Sequence, residues 1–324
     1  MPETRYVRAI ADTLAAEMER NERVIVIGQD IAAAGGTFGA TRGLVERFGP
    51  ERVRDAPISE IALVGGAIGA ALNGLRPVVE IMFMDFLGTC WDQVVNQMAK
   101  LRYMAGGEVA VPLVLRTHMG AGMSAGPQHS GSYEAWAVHI PGLKVVMPAT
   151  PADVKGLLTA AIRDDNPVLV VENKALYASR GSVPDGDYVL PIGEAAVLRE
   201  GSDVTVVGLS RYVGEALRAA ETLAAEGIQI EVIDPRSLSP FDAATVVRSV
   251  EKTGHLVVAH EGWGPCGFGA EVLAQVVERC PGALKAARRI TPPFCPTPFS
   301  PALEAAWLPN SGAIVTAVRE VVGR

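Results

Sequence analysis

Along this chain, short apolar runs of strand length alternate with stretches in which apolar residues recur at helical spacing. VIVIG (Val24 to Gly28) reads as a buried strand. PVVEIMF, VPLVLRT, LKVVMP and NPVLVVE repeat the pattern from Pro77, Val111, Leu143 and Asn166. Helical patterns lie between them at 60–73, 86–103 and 151–164. Strands separated by helices predict parallel βαβ units, an α/β fold with its sheet covered on both faces. The Gly-, Pro- and Asp-rich stretch from Ala175 to Gly193 interrupts the rhythm and reads as a crossing between domains. A second α/β rhythm follows, with strands DVTVVG, QIEVID and HLVVAHE and helices at 212–226, 241–251 and 268–279. The boundary is expected near residue 190, giving domains 1–190 and 191–324.

Composition narrows the class. The 324 residues suffice for about two domains. With 49% hydrophobic and 20% charged residues, the chain has the profile of a soluble globular protein. The net charge of −7, with no Lys/Arg cluster, argues against a nucleic-acid partner. The N-terminal stretch carries acids throughout rather than a signal peptide's apolar segment. No apolar run is long enough to span a membrane. Cys90, Cys266, Cys280 and Cys295 form no C-x-x-C pair or zinc-ligand pattern, and read as free thiols of a reducing cytoplasm.

Ligands of α/β sheets gather beyond the carboxyl ends of strands, which draws attention to loops 28–38, 57–60, 82–86 and 117–133. Glu60 stands alone as a charge in PISEIALVGGAIGAALNG, with Ser59 as the expected N-cap. A helix that is apolar all round is expected to be buried. A carboxylate at its first turn would then have a raised pKa, suited to proton exchange with a bound heterocycle. The helix dipole alone is the alternative reason for an acid there. Phe86, ending EIMFMDF, reads as a core aromatic at the end of a strand. His129 lies in the glycine-rich stretch MGAGMSAGPQHSGS, either as a surface residue or as part of a flexible active-site segment.

Several long motifs in fixed order give a more specific reading. GGTFGATRGLVERFGPERVRDAPISE, GLRPVVEIMFMDF and GPQHSGSYEAWAVHIPGLKVVMPATPADVKGLL, then VIDPRSLSPFD and PFSPALEAAWLPN, span nearly the whole chain. Together they resemble the beta subunits of the thiamine-diphosphate-dependent decarboxylating component of 2-oxo acid dehydrogenase complexes, pyruvate or acetoin type. The resemblance implies a pyrimidine-type thiamine-diphosphate domain followed by a transketolase C-terminal-like domain. It puts Glu60 on the aminopyrimidine ring nitrogen, Phe86 against that ring, and Ile58 and Met82 in the same pocket. It gives His129 a role toward the substrate and the lipoyl group. His139 would be structural and His118 incidental. A segment matching AAIRDDNPVLV implies a potassium ion held by main-chain oxygens of Leu113, Ala161, Ile162, Asp164 and Asn166; an ordinary loop is the alternative.

One half of the expected machinery is missing. Thiamine enzymes hold Mg2+ and the diphosphate with a G-D-G motif followed by an Asn about 25 residues on. No G-D-G occurs in this sequence. The resemblance therefore implies an alpha subunit carrying those ligands, in a heterotetramer of two alpha and two beta chains. It also implies a lipoyl acyltransferase partner and acetoin or a 2-oxo acid as substrate. A split transketolase, half of a deoxyxylulose-phosphate-synthase-like transferase, and a docking scaffold without activity are the competing readings. Intact Glu60, Phe86 and His129 argue against the scaffold.

Overall fold

A computed structural model describes residues 3–323. They form two compact units. One contains the residues up to Met119 together with Trp136–Ile192. The other contains Gly120–Ala135 and the residues from Gly193 onward. The chain passes to the second unit within the Gly/Pro/Asp-rich crossing. The linear reading places segment 120–135 in the first domain, but it groups with the second unit, whose carboxylates accept its backbone N–H groups.

In the first unit, β1 (Glu3–Arg5) pairs antiparallel with β8 (Arg180–Ser182). The main sheet uses β2 (Val24–Gly28), β3 (Val53–Asp55), β4 (Arg76–Ile81), β5 (Val114–Met119), β6 (Lys144–Val146) and β7 (Val168–Asn173). These run parallel in the order β6-β7-β5-β4-β2-β3. Helix Tyr6–Arg20 places Tyr6, Ile10, Leu14 and Met18 on one buried stripe. That stripe packs with Val154, Leu157 and Leu158 of helix Pro151–Arg163 over the valines of the sheet. Thr150 and Asp153 start the latter helix with a reciprocal capping box, and Pro151 sits where its missing N–H costs nothing.

Three charges lie at the centre of this sheet. Arg116 of β5 bonds Glu172 of β7 through two N–H···O contacts of 2.8 Å and Glu80 of β4 through a third of 2.9 Å. All three are fully buried. The Tyr177 hydroxyl donates to Glu172 as well.

The helix expected over 86–103 is broken. Met84–Cys90 winds as 3₁₀ turns, Gln93–Met98 as wider π turns, and only Leu101–Met104 is α-helical. The Thr89 hydroxyl bonds the Phe86 carbonyl at 2.8 Å, competing locally with the regular ladder.

The second unit holds β9 (Ala196–Arg199), β10 (Val204–Gly208), β11 (Ile230–Asp234), β12 (Ser237–Ser239), β13 (His255–Ala259) and β14 (Ala286–Ile290). Five of these form a sheet ordered β14-β13-β10-β11-β9, parallel except at the β9 edge. Helices Arg211–Ala225 and Ser311–Val321 supply Tyr212, Ala216, Leu223, Ile314 and Val318 to its core. The helix expected from Phe241 starts at Ala243, because the Asp242 side chain accepts the Thr245 N–H and caps it there. Among the described residues, no helix is long and apolar enough to cross a membrane.

Candidate active site

Helix Glu60–Leu72 places Glu60 in its first turn, beyond the carboxyl ends of β2 and β4. The expected Ser59 cap is absent: its hydroxyl donates to the Pro57 carbonyl at 3.0 Å, and the turn closes through Leu63 N–H to Ser59 O. Nor is the helix buried all round. Leu63, Val64, Ala67, Ile68 and Ala71 face the core, while Ile61, Ala62, Gly65, Gly66 and Leu72 are exposed. Ile58, just before it, is 75% exposed and Ile61 55%. Glu60 itself is half-buried, so the full desolvation expected of it does not hold in this chain alone.

No donor among the described residues bonds the Glu60 carboxylate. The helix packs against the turns of Met84–Cys90, which carry half-buried Phe86. Cys90 registers the neighbouring charge: burial first, and Glu60 second, push its thiol up to about 12. Phe86 meets Phe83 edge to face with ring centroids 5.6 Å apart, and Met82 is half-buried beside them in sequence. Glu60 and Phe86 thus lie on two elements in contact, with Ile58 and Met82 close to them in sequence. A carboxylate acceptor beside an aromatic ring fits a protonated ring nitrogen held against that ring.

His118, expected to be incidental, is fully buried behind this wall. Its Nδ1 bonds the Met82 carbonyl, which can only accept, so the ring proton sits on Nδ1. The imidazole is edge-on to Phe38, Phe83 and Tyr177. Burial holds its pKa below the ordinary range despite Glu80 and Glu172. The signal was in the sequence: Glu80, Arg116, His118 and Glu172 are polar residues inside apolar strand runs, and such groups require partners.

In the segment expected to hold potassium, several main-chain oxygens take donors from within the chain. The Arg76 guanidinium donates to the Ile162 carbonyl at 2.8 Å and to that of Asp164 at 2.6 Å. Leu113 O accepts Val168 N–H, and Ala161 O accepts Asp164 N–H. Four of the five oxygens therefore carry donors, two of them from a cation, and Asn166 uses its side chain on Arg102 and Asp164. Each of these carbonyl oxygens keeps a second lone pair. Among the described residues, no group of three or more His, Cys, Asp or Glu side chains is placed to hold a metal.

His129 lies half-buried in the second unit. Its loop is closed at the neck by Gly120 N–H to Gly131 O. Glu304 accepts the N–H groups of Gly122 and Ser124, both at 2.9 Å, and Glu261 accepts that of Ala121. At Gly126, where φ is +74°, the Phe299 ring leaves no free space for a side chain. The glycines read as signs of flexibility instead allow a loop pinned by carboxylates. His139 is exposed.

Comparison with known proteins now bears on this geometry. Residues 3–180 match the transketolase pyrimidine binding domain, and residues 193–314 match the transketolase C-terminal domain. The acetoin:2,6-dichlorophenolindophenol oxidoreductase subunit beta of Cupriavidus necator is 47% identical, over 97% of this chain and 96% of that one. The chain belongs to the family of acetoin and pyruvate dehydrogenase beta subunits. The pyruvate dehydrogenase E1 component subunit beta of Bacillus subtilis is 41% identical over 99% of both chains. Among solved structures, a split gene transketolase, titled an inactive beta4 tetramer, superposes with a TM-score of 0.82 over 98% of both chains. Its 24% identity shows the shared fold. The family consists of thiamine-diphosphate-dependent oxidoreductases, and Glu60 and Phe86 fall within its pyrimidine-binding domain.

Proposed function

We propose that this chain is the beta half of a dehydrogenase acting on acetoin or a 2-oxo acid such as pyruvate, competent only once an alpha subunit completes its cofactor site. The observation that carries the reading is the Glu60 carboxylate, unbonded at the first turn of a helix whose outward face is apolar. A half-buried carboxylate with no donor from its own chain, on a helix that packs against the turns carrying Phe86, is free to take one from a bound heterocycle.

When bound, thiamine diphosphate supplies a nucleophilic carbon and an electron sink for C–C cleavage. Glu60 would accept a hydrogen bond from the aminopyrimidine ring and hold the proton there. Phe86 would fix the plane of that ring, with Ile58 and Met82 excluding water around it. His129, on its pinned loop, would deliver a proton during acyl transfer to a lipoyl group. The alpha subunit would bring the magnesium ligands and cover the face formed by Ile58, Ile61, Ala62, Gly65 and Gly66, whose small residues permit close approach of another helix. Two alpha and two beta chains, working with a lipoyl acyltransferase in the cytoplasm, complete this reading.

The test is reconstitution. Calorimetry on the chain alone should detect only weak binding of thiamine diphosphate with magnesium. Mixing with the alpha subunit should produce tight binding, and turnover of acetoin or pyruvate with an artificial electron acceptor. Tight magnesium-dependent binding to the lone chain would overturn the shared site.

A further inference from the structure

The exit of the His129 loop ends in a buried pair. Glu134 closes the segment, and its Oε1 lies 3.8 Å from Nδ1 of His260, at the end of β13. Both side chains are fully buried, and neither Glu134 Oε2 nor His260 Nδ1 has a hydrogen-bond partner. The ring's other nitrogen fixes its tautomer. Nε2 accepts the Gly269 N–H at 3.2 Å, so the proton of a neutral His260 is on Nδ1, facing Glu134.

Three glycines make room for this pair. A Cβ at Gly262 would stand 2.4 Å from Glu134 Oε1. One at Gly267 would stand 2.8 Å from His260 Cε1, and one at Gly269 would stand 2.7 Å from Nε2. Backbone closing in on a polar ring from three sides leaves it no alternative orientation.

We infer that Glu134 and His260 are positioning residues that clamp the exit of the loop carrying His129, the buried Glu134 carboxyl group seated against the Nδ1 side of the His260 ring. The entry is already held by Glu261 and Glu304, so the clamp fixes the loop at both ends. The inference rests on the reading of His129 as an acting residue, which gives the loop something to position.

The clamp should respond to pH. Burial, and after it the charge of Glu261, raise Glu134 to about 7, while burial and Arg289 of β14 hold His260 at about 4. Glu261 in turn faces Tyr212 of helix Arg211–Ala225. Near neutrality His260 is therefore uncharged and Glu134 is the group that titrates. Protonated, it is neutral in its buried seat; ionised, it is a buried charge 3.8 Å from the nearest ring nitrogen, so ionisation favours opening of the loop exit.

Hydrogen exchange read by mass spectrometry, on the full chain reconstituted with its alpha subunit, tests this. After correction for intrinsic rates, protection of peptides covering 120–133 should fall on the order of tenfold as pH rises through the Glu134 transition. Glu134→Gln should flatten that profile, His260→Asn should lower protection across it, and His129→Ala should leave it intact. A wild-type profile that is already flat overturns the clamp even where neither variant folds, as does unchanged protection in folded variants. Lost protection with undiminished acyl transfer supports the clamp and instead removes His129 from the reaction.

Discussion

Arg116 and Glu172 face each other across neighbouring parallel strands, joined by two N–H···O bonds of 2.8 Å in a region that water does not reach. Desolvating both charges is expensive, and the parallel bonds, with Glu80 on a third N–H, offset that cost. Removing one member strands the others. Arg116→Met should therefore destabilise the first unit by about 3–5 kcal/mol, measured by urea unfolding. A loss within about 0.5 kcal/mol, typical of a surface site, would mean that the charges are rehydrated in solution.

Glu60→Gln preserves shape and removes the carboxylate. Assembly with the alpha subunit should be unchanged by sedimentation, and turnover should fall by roughly a hundredfold or more. Exchange of the thiazolium proton for deuterium should slow in parallel. An unchanged exchange rate would show that the carboxylate does not act on the cofactor.

His129→Ala should divide the reaction differently. Thiazolium exchange should stay near the wild-type rate, whereas reductive acylation of lipoyl domains should drop by on the order of a hundredfold, as for loss of a general acid. Parallel loss of both at unchanged cofactor affinity would contradict the separation of roles.

The buried pair also predicts an unusual stability profile. Glu134 lies at about 7 in the fold, above its ordinary 4.5, so the folded chain keeps a proton that the unfolded chain releases. Its contribution makes stability fall as pH rises from about 4.5 to 7. His260, at about 4 instead of 6.5, binds its proton more readily when unfolded, so stability rises with pH between about 4 and 6.5. In the wild type the two slopes oppose. Relative to it, Glu134→Gln should steepen the gain in stability with pH below about 6.5, by up to about 1.4 kcal/mol per pH unit. His260→Asn should tilt the curve the other way. Parallel curves for all three proteins would show that the pair does not titrate as described.

The alternation of runs made the α/β architecture legible, because strands buried on both faces and helices with one apolar stripe differ in period. The motifs marked Glu60, Phe86 and the His129 loop for the same reason: chemistry concentrates after strands. Less legible was anything that depends on side chains meeting across sequence distance. Glu134 and His260 are 126 residues apart, and nothing local to either names the other. Apolar composition misled at helix Glu60–Leu72, since its exposed face and its core face use the same residue types. Nor was Arg76 legible as a neighbour of the expected potassium segment: its guanidinium reaches carbonyls 86 and 88 positions away.

The exposed isoleucines on either side of Glu60 carry a consequence for supply rather than catalysis. Ile58 and Ile61 leave a sticky edge on every copy that lacks a partner, and such edges favour self-association. If an alpha subunit covers that edge, as proposed above, a cell making this chain in excess would accumulate copies with the edge bare. Matched synthesis of the two chains, or prompt removal of the surplus, would then follow from the surface of the fold.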